Sequence, residues 1–371
     1  MSAATADVAI VGGGIVGAAC ARVLAREKLR VVLIEAGDVA GGATAAGMGH
    51  IVTMDGSEAQ FALTSYSAKL WTELRPSLPA GTEYETRGTI WVAADDEEMT
   101  AVRAKHAFYT GRGVRTEILD EPALRKAEPE LRAGLAGALR VPGDSVIYAP
   151  CAAQWLADQA RAQGAWIRQG VEAIGVEPGI VKLNDGSTVS AGAIVVAAGV
   201  ASARFLPTLA AAVRPRKGHL AITDRYPGFA RHQLVELGYL ASAHGGDNES
   251  VAFNVQPRAT GQLLIGSSRQ YGSTGLPVEA PILARMLRRA FEYMPRLAGL
   301  SVIRTWTGLR AATPDGLPII GPLGQGLWAA TGHEGLGITT SLGTAELIAN
   351  QMLGRTSAIP VEPYLPARFP A

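Results

Sequence analysis

The apolar run Asp7-Val8-Ala9-Ile10-Val11 passes through Gly12-Gly13-Gly14-Ile15-Val16-Gly17 into the pattern Ala18-Ala19-Cys20-Ala21-Arg22-Val23-Leu24-Ala25, which predicts a strand, a glycine turn and a helix in succession. Arg30-Val31-Val32-Leu33-Ile34 predicts a second parallel strand that ends in Glu35. The small residues of Gly41-Gly42-Ala43-Thr44-Ala45-Ala46-Gly47-Met48-Gly49-His50 then predict backbone running close to a ligand. A helix is expected over 57–74, a strand at Thr86-Arg87-Gly88-Thr89-Ile90-Trp91-Val92, a helix over 95–112 and a strand over 116–119. Further on come a helix over 150–163, short strands around Val171 and Val181 with an Asn184-Asp185-Gly186 turn, and the buried run Ala193-Ile194-Val195-Val196-Ala197-Ala198-Gly199. Between 215 and 304, strand patterns recur at Gly218-His219-Leu220-Ala221-Ile222, Val251-Ala252-Phe253-Asn254-Val255 and Gln262-Leu263-Leu264-Ile265-Gly266, with a helix over 281–293 among them. The last buried strand, Gly326-Leu327-Trp328-Ala329-Ala330-Thr331, leads through Gly332-His333-Glu334-Gly335-Leu336-Gly337 into a helix over 340–352.

These patterns are interleaved. Segments 1–80, 142–214 and 304–371 read as one domain, and 81–141 with 215–303 as a second, mixed and largely antiparallel one. A chain of 371 residues, 48% hydrophobic and 18% charged, is long enough for two or three domains. A net charge of +1 without a basic run gives no case for nucleic acid or an anionic membrane. Cys20 and Cys151 make neither a disulfide framework nor a CxxC pair, and Cys20 falls on the apolar face of the first helix. Met1-Ser2-Ala3-Ala4-Thr5-Ala6 lacks a cationic segment followed by an apolar core, and no stretch has the roughly twenty apolar residues of a membrane span, so a cytoplasmic location is expected.

The first glycine turn has the context a dinucleotide fingerprint requires. Gly12 permits the tight turn, Gly14 lets backbone approach a pyrophosphate at the helix N-terminus, and Gly17 lets helix and strand pack closely. Glu35 stands where a carboxylate accepts the ribose hydroxyls, and with no Arg or Lys close behind it a 2′-phosphate is disfavoured. The second glycine stretch opens another helix, whose free N–H groups can stabilise negative charge on the pyrimidine edge of a reduced flavin. FAD is long enough to need both sites, whereas a nicotinamide enzyme needs only the first. A nicotinamide dehydrogenase and a non-catalytic flavoprotein relay remain the alternatives from the residues alone.

In order and spacing, several motifs resemble the D-amino-acid-oxidase-like family of FAD-dependent oxidoreductases, which includes glycine oxidase and sarcosine oxidase. They are Val11 to Gly17 with Glu35, Ala43-Thr44-Ala45-Ala46-Gly47-Met48, Arg87-Gly88-Thr89-Ile90-Trp91, Val196-Ala197-Ala198-Gly199, and Trp306-Thr307-Gly308-Leu309-Arg310 running on to Thr313-Pro314-Asp315-Gly316-Leu317-Pro318-Ile319-Ile320-Gly321. Gly47-Met48-Gly49-His50 and His333-Glu334-Gly335-Leu336-Gly337-Ile338-Thr339-Thr340 look most like the catalytic subunits of D-hydroxyproline dehydrogenases, with opine oxidase and hydrogen-cyanide synthase subunits as near relatives.

The resemblance implies an α/β fold, in which a Rossmann-type FAD-binding domain is interleaved with a smaller α+β substrate domain. It implies noncovalent FAD held by Gly12, Gly14, Ile15, Val16, Gly17, Glu35 and Ala36, then by Ala43, Thr44, Gly47, Met48 and Gly49. The remaining contacts fall on Val171, Ala197, Ala198, Gly199 and Gly308, and on Gly332, His333, Glu334, Gly335, Leu336, Gly337, Ile338 and Thr339. It places Arg310 over the flavin face as the clamp for a substrate carboxylate, and Asn254 where glycine oxidase has a substrate-facing tyrosine. Gly335 replaces a bulkier cationic residue there and leaves room for a ring, while Met48 lines the pocket. His50, His219 and His333 are candidates for tuning the flavin or steering the amine. The chemistry implied is hydride transfer from the α-carbon of a neutral amine to flavin N5, giving an imine. The substrate is expected to be cis-4-hydroxy-D-proline or D-proline, with an opine, glycine or sarcosine as alternatives. The electron acceptor is oxygen, a quinone or a partner subunit, in a homo- or hetero-oligomer, and no metal is expected.

Overall fold

The computed structural model of the protein describes residues 4–238 and 249–369, so Met1-Ser2-Ala3 and the corresponding parts of the expected domain intervals lie outside the described residues. Strand β1 (Ala4–Val11) is buried on both faces: Val8 and Ile10 join one apolar cluster, and Ala9 and Val11 join another. A strand with such a sequence needs cover on each side, which is the situation of a parallel sheet between layers.

The parallel core of the first sheet is formed by β2 (Val31–Glu35), β8 (Trp166–Gln169), β11 (Thr188–Val196) and β18 (Leu327–Thr331) together with β1. Antiparallel β17 (Ile319–Gly324) closes one edge, in the order β17-β18-β11-β1-β2-β8, and β9 (Ala173–Glu177) pairs with β10 (Ile180–Leu183) beside β11. Val171 is in neither short strand; it precedes β9 and donates its N–H to the Glu35 carbonyl at 3.1 Å. Helices Ile15–Arg26, Ala149–Ala162 and Gly337–Met352 pack on one face through Cys20, Leu24, Leu156 and Ile348. Cys20 is fully buried, which pushes its thiol up to about 12, so it is an inert packing group.

The second sheet runs β16-β12-β15-β14-β13-β4-β6-β5, from β16 (Val302–Ala312), β12 (Arg214–Thr223), β15 (Leu263–Tyr271), β14 (Glu249–Pro257), β13 (Gln233–Glu236), β4 (Thr89–Ala93), β6 (Gly137–Val141) and β5 (Glu117–Asp120). Its pairs are antiparallel apart from β13 with β4. The reverse face carries Phe253, Val255 and Ile265 against Met286 and Tyr293 of helix Ala280–Tyr293, with Phe253 and Tyr293 stacked at 4.5 Å. The boundary expected at 304 therefore falls inside β16, whose ladder with β12 runs from 302 to 312.

Local signals account for the helix starts. The Ser57 hydroxyl accepts from Gln60 N at 3.0 Å and opens helix Glu58–Leu74, and Asp95 accepts from Glu98 N at 2.9 Å and opens Asp96–Thr110. The same device, Asp120 accepting from Ala123 N at 2.9 Å with proline in the first turn, starts a helix Glu121–Ala127 that the apolar pattern did not suggest. Among the described residues no helix is long and apolar enough to cross a membrane, and no cluster of His, Cys, Asp and Glu could hold a metal.

Candidate active site

The first glycine turn is built so tightly that its side chains have to be absent. Gly12 has φ +107°, and a Cβ there would lie 2.5 Å from the Ala197 carbonyl oxygen, while a Cβ on Gly17 would overlap the Gly12 carbonyl. The N-cap of helix Ile15–Arg26 is Gly14, which has no side chain to occupy the positive helix end and so leaves room for a phosphate. Thr44 Oγ1 accepts from Ile15 N at 3.0 Å and so ties the small-residue segment to that end. This segment contains a single helical turn, Ala43–Ala46, where a loop was expected. Glu35 accepts from Gly13 N at 2.6 Å and Gly37 N at 2.9 Å, fixing its carboxylate at the rim beside exposed Ala36. Gly13 belongs to this cradle too, since a Cβ on it would lie 2.9 Å from that of Glu35.

Both termini meet at the same segment. A Cβ on Gly47 would lie 2.9 Å from Ile338 Cδ1, Thr339 donates its hydroxyl to the His50 carbonyl at 2.8 Å, and Trp71 Nε1 donates to the Ile338 and Thr339 carbonyls at 3.2 Å. Because Arg26 and Glu346 pair at 3.0 Å further along, the first and last helices run side by side in the same sense, both starting at the 43–49 segment. The C-terminal helix begins at Gly337, earlier than the pattern indicated, after a turn Glu334–Leu336. Gly332 has φ +77° and abuts Thr313, Gly49 has φ +92° and lies against the Ile147 carbonyl, and Thr331 donates to the Gly199 carbonyl at 3.0 Å.

The second sheet presents its front face to this segment. Trp306 Nε1 donates to the Ala46 carbonyl at 3.3 Å, Gln256 Nε2 to the Met48 carbonyl at 2.8 Å, and Gly308 leaves space that Ala46 fills. Met48 Sδ covers Gly266. A cavity of about 270 Å³ borders the segment, walled by Met48, Gln256, Arg258, Arg304 and Trp306 but not by Arg310 or Asn254.

Arg310 comes from strand β16, directly across the ladder from Arg216. Its guanidinium lies over Gly218, where a Cβ would be 2.7 Å from Cζ, and Nη1 donates to the Ser268 carbonyl at 3.0 Å. Gly335 sits beside it, with a hypothetical Cβ 4.0 Å from Arg310 Cδ and Nε. Glu334, in the left-handed region at φ +49°, accepts from Arg216 Nη1 at 3.3 Å and from Gly335 N at 2.6 Å. Burial would raise the Glu334 carboxyl, but Arg310, Arg269 and Arg216 outweigh it and hold the group below the usual range. Arg216 and Arg269, which surround Glu334 together with Arg310, are charged groups that the linear pattern did not reveal.

The histidines divide. The His50 ring is buried beside the 43–49 segment, and burial lowers it to about 4 against the opposing hydrogen bond with the Gln256 side chain. His333 instead turns into the C-terminal helix, its Nε2 bonded to Thr344 Oγ1 at 3.0 Å, and burial lowers it to about 3. That ring is neutral at pH 7 and held by Thr344. His219 lies on the reverse face of the second sheet, between Ser268 Oγ at 2.9 Å and Glu279 N at 3.0 Å, away from Arg310. Asn254 is 4% exposed and its alternation with Phe253 and Val255 puts it on the front face, with Oδ1 unpartnered.

Two helix N-termini converging on one small-residue segment, with an acid at the rim of the glycine turn, suit an extended dinucleotide. A fold and site of this kind define an FAD-dependent oxidoreductase. The family model described as DAO, FAD dependent oxidoreductase, matches residues 7–351, and the chain belongs to that family. It is 30% identical over 377 residues to a glycine oxidase of Geobacillus kaustophilus (strain HTA426), covering 96% of each chain. It is 28% identical over 326 residues to a D-amino acid dehydrogenase of Methylobacterium nodulans, covering 83% of this chain and 73% of that one. The crystal structure of glycine oxidase from Geobacillus kaustophilus superposes with a TM-score of 0.87 at 27% identity, over 98% of each chain. The protein is thus an FAD-dependent amine or amino acid oxidoreductase.

Proposed function

We propose that the chain oxidises a small D-amino or imino acid, cis-4-hydroxy-D-proline or D-proline before others, to the corresponding imine. The observation that carries this reading is Arg310, a guanidinium laid flat on Gly218 at the meeting of both sheets. Ser268 takes one of its N–H groups, and the rest of the planar fork suits a carboxylate gripped in two parallel hydrogen bonds. Such a grip fixes the α-carbon relative to the ring, and orientation of this kind supplies much of the rate without a protein base. FAD, when bound, takes up the electron pair of the α C–H bond. His50, lowered to about 4, is neutral at pH 7 and adds no positive charge to repel a substrate amine. Gly335 leaves open space next to Arg310, which suits a pyrrolidine ring.

Arg216 and Arg269, on the same face as Arg310, favour a second reading, a secondary amine with two carboxylates of the opine type. The holoenzyme tests both. Anaerobic D-hydroxyproline should bleach the flavin absorbance, and Arg310→Ala should keep FAD while kcat/KM with an artificial dye falls on the order of 100-fold or more. Unchanged kinetics in Arg310→Ala would remove Arg310 from the site, and a wild-type flavin bleached only by diacids would favour the opine reading.

A further inference from the structure

The cavity of about 270 Å³ beside the 43–49 segment takes no part in the amine reading. Its floor is a row across four strands of the second sheet, Arg304, Ile222, Leu264 and Gln256, each paired with the next in the ladder. Arg310 lies six residues further along β16 than Arg304, roughly 20 Å at the rise of an extended strand. Between them β16 passes under the segment, where Trp306 donates to the Ala46 carbonyl and Gly308 lies against the Ala46 side chain. Strand β14 runs opposite to β16 and agrees: Gln256 donates to the Met48 carbonyl, with Asn254 towards the Arg310 end and Arg258 in the cavity wall. The segment that the family resemblance gives to FAD thus has a space on either side, and only one of them holds Arg310.

The walls of this second space are aromatic and cationic. The Arg258 guanidinium lies over the Tyr148 ring at 4.3 Å and is held by Glu83 at 2.7 Å. Arg304 lies over the Trp306 ring at 5.4 Å and makes no ion pair among the described residues. Ile303, 56% exposed, and Tyr148, 37% exposed, put apolar surface at the rim. We infer that this cavity is a quinone site, through which the electrons taken from the substrate leave the protein. The Trp306 and Tyr148 rings offer a planar headgroup stacking surface, Ile303 meets an apolar substituent, and the unengaged N–H groups of Arg304 stabilise the negative charge that develops on a quinone oxygen. Reduced FAD gives up two electrons and two protons, the quinone takes both to become a hydroquinone, and oxidised FAD is regenerated. Dioxygen has no ring to stack and no use for an apolar rim. Separate spaces also let the amine and its acceptor bind without competing.

The test uses 1,4-naphthoquinone-2-sulfonate, a soluble quinone with a fixed negative charge, and holoenzyme whose flavin is reduced photochemically, so that no amine is needed. Rapid mixing should show reoxidation that saturates with quinone. Arg304→Gln should raise the half-saturating concentration about 10-fold by removing a charge-assisted hydrogen bond. Ala259→Trp, which fills the exposed mouth of the cavity, should slow reoxidation by the quinone about 10-fold as well, with FAD content and reoxidation by dioxygen matching wild type. Quenching of tryptophan fluorescence in oxidised holoenzyme should give the same order of affinities without any turnover. Reoxidation that does not saturate and is unchanged in both variants would overturn the site. So would quinone binding seen only in the apoprotein, because the cavity would then belong to the cofactor cleft. A flavin that the quinone reoxidises as described, but that no D-imino acid bleaches, would remove the proposed substrate and leave the quinone site standing.

Discussion

Glu35 shows how a single residue serves the fold and the site together. Its carboxylate closes the glycine turn through Gly13 and Gly37 and presents its remaining lone pairs at the rim where a ribose would lie. Glu35→Gln removes the charge and turns one of the two acceptor oxygens into an amide facing a backbone N–H, so the FAD dissociation constant should rise about 10-fold in equilibrium titration; an unaltered constant would contradict the ribose assignment. Asp144 makes a different prediction. Burial pushes its carboxyl up to about 7, against the opposing Thr53 N–H at 3.3 Å and the charge of Lys105, which itself pairs with Asp55. A folded-state value above the unfolded one means that the protonated form is stabilised: the contribution is complete below about pH 4 and is lost as pH rises through 7. The melting temperature of wild type should therefore decline from pH 5 to pH 8 relative to Asp144→Asn, by the equivalent of at most about 3 kcal/mol, and parallel curves would refute it. What could be read from single residues was the glycines and Glu35, because their roles depend on neighbours within one turn. Arg216 and Arg269 were not legible, since the strands that bring them beside Arg310 join positions far apart in the chain. The same holds for the surroundings of His333 and His219, whose partners Thr344 and Ser268 lie 11 and 49 positions away in the chain.

At the scale of elements, the 43–49 segment is the junction. It is held to the first helix by Thr44, to the last by Gly47 and to the second sheet by Ala46 and Met48. Its small residues announced a close approach, although what approaches from the protein side is β16 as much as a cofactor. A Cβ on Gly308 would meet that of Ala46 at 2.5 Å, so the strand can cross only where it has no side chain. Gly308→Val should displace the segment and yield colourless protein, with far-ultraviolet circular dichroism unchanged because the ladder bonds of β16 survive. Yellow protein with normal FAD content would show that the contact yields easily. Strands and helices with strong apolar periodicity were legible, whereas β13 (Gln233–Glu236) and the helix Glu121–Ala127 were not; both are short and their apolar pattern is weak. Strand β16 was legible only as a motif: its outer residues are exposed, so periodicity gave no strand signal at Arg310.

Over the whole molecule, the chain crosses between sheets several times, and neither sheet alone holds all the groups that face the cleft. Strands of the first come from segments 4–35, 166–196 and 319–331, and those of the second from 89–141 and 214–312. The last boundary expected from the pattern, 304, lies within β16, whose ladder with β12 continues to Ala312. Shared ownership of the site has a thermodynamic consequence. A ligand that binds only the folded state adds RT ln(1 + [L]/Kd), about 4 kcal/mol at a thousandfold excess over Kd. Unfolding entropy near 2.1 cal/mol/K per residue gives roughly 0.8 kcal/mol/K for 371 residues, so saturating FAD should raise the melting temperature by about 5 °C. Because the FAD segment is bonded to both sheets, the apoprotein should show this shift as one cooperative transition that moves as a unit. Two calorimetric transitions, only one of which responds to FAD, would mean that the sheets are energetically separate and that the 43–49 junction does not couple them.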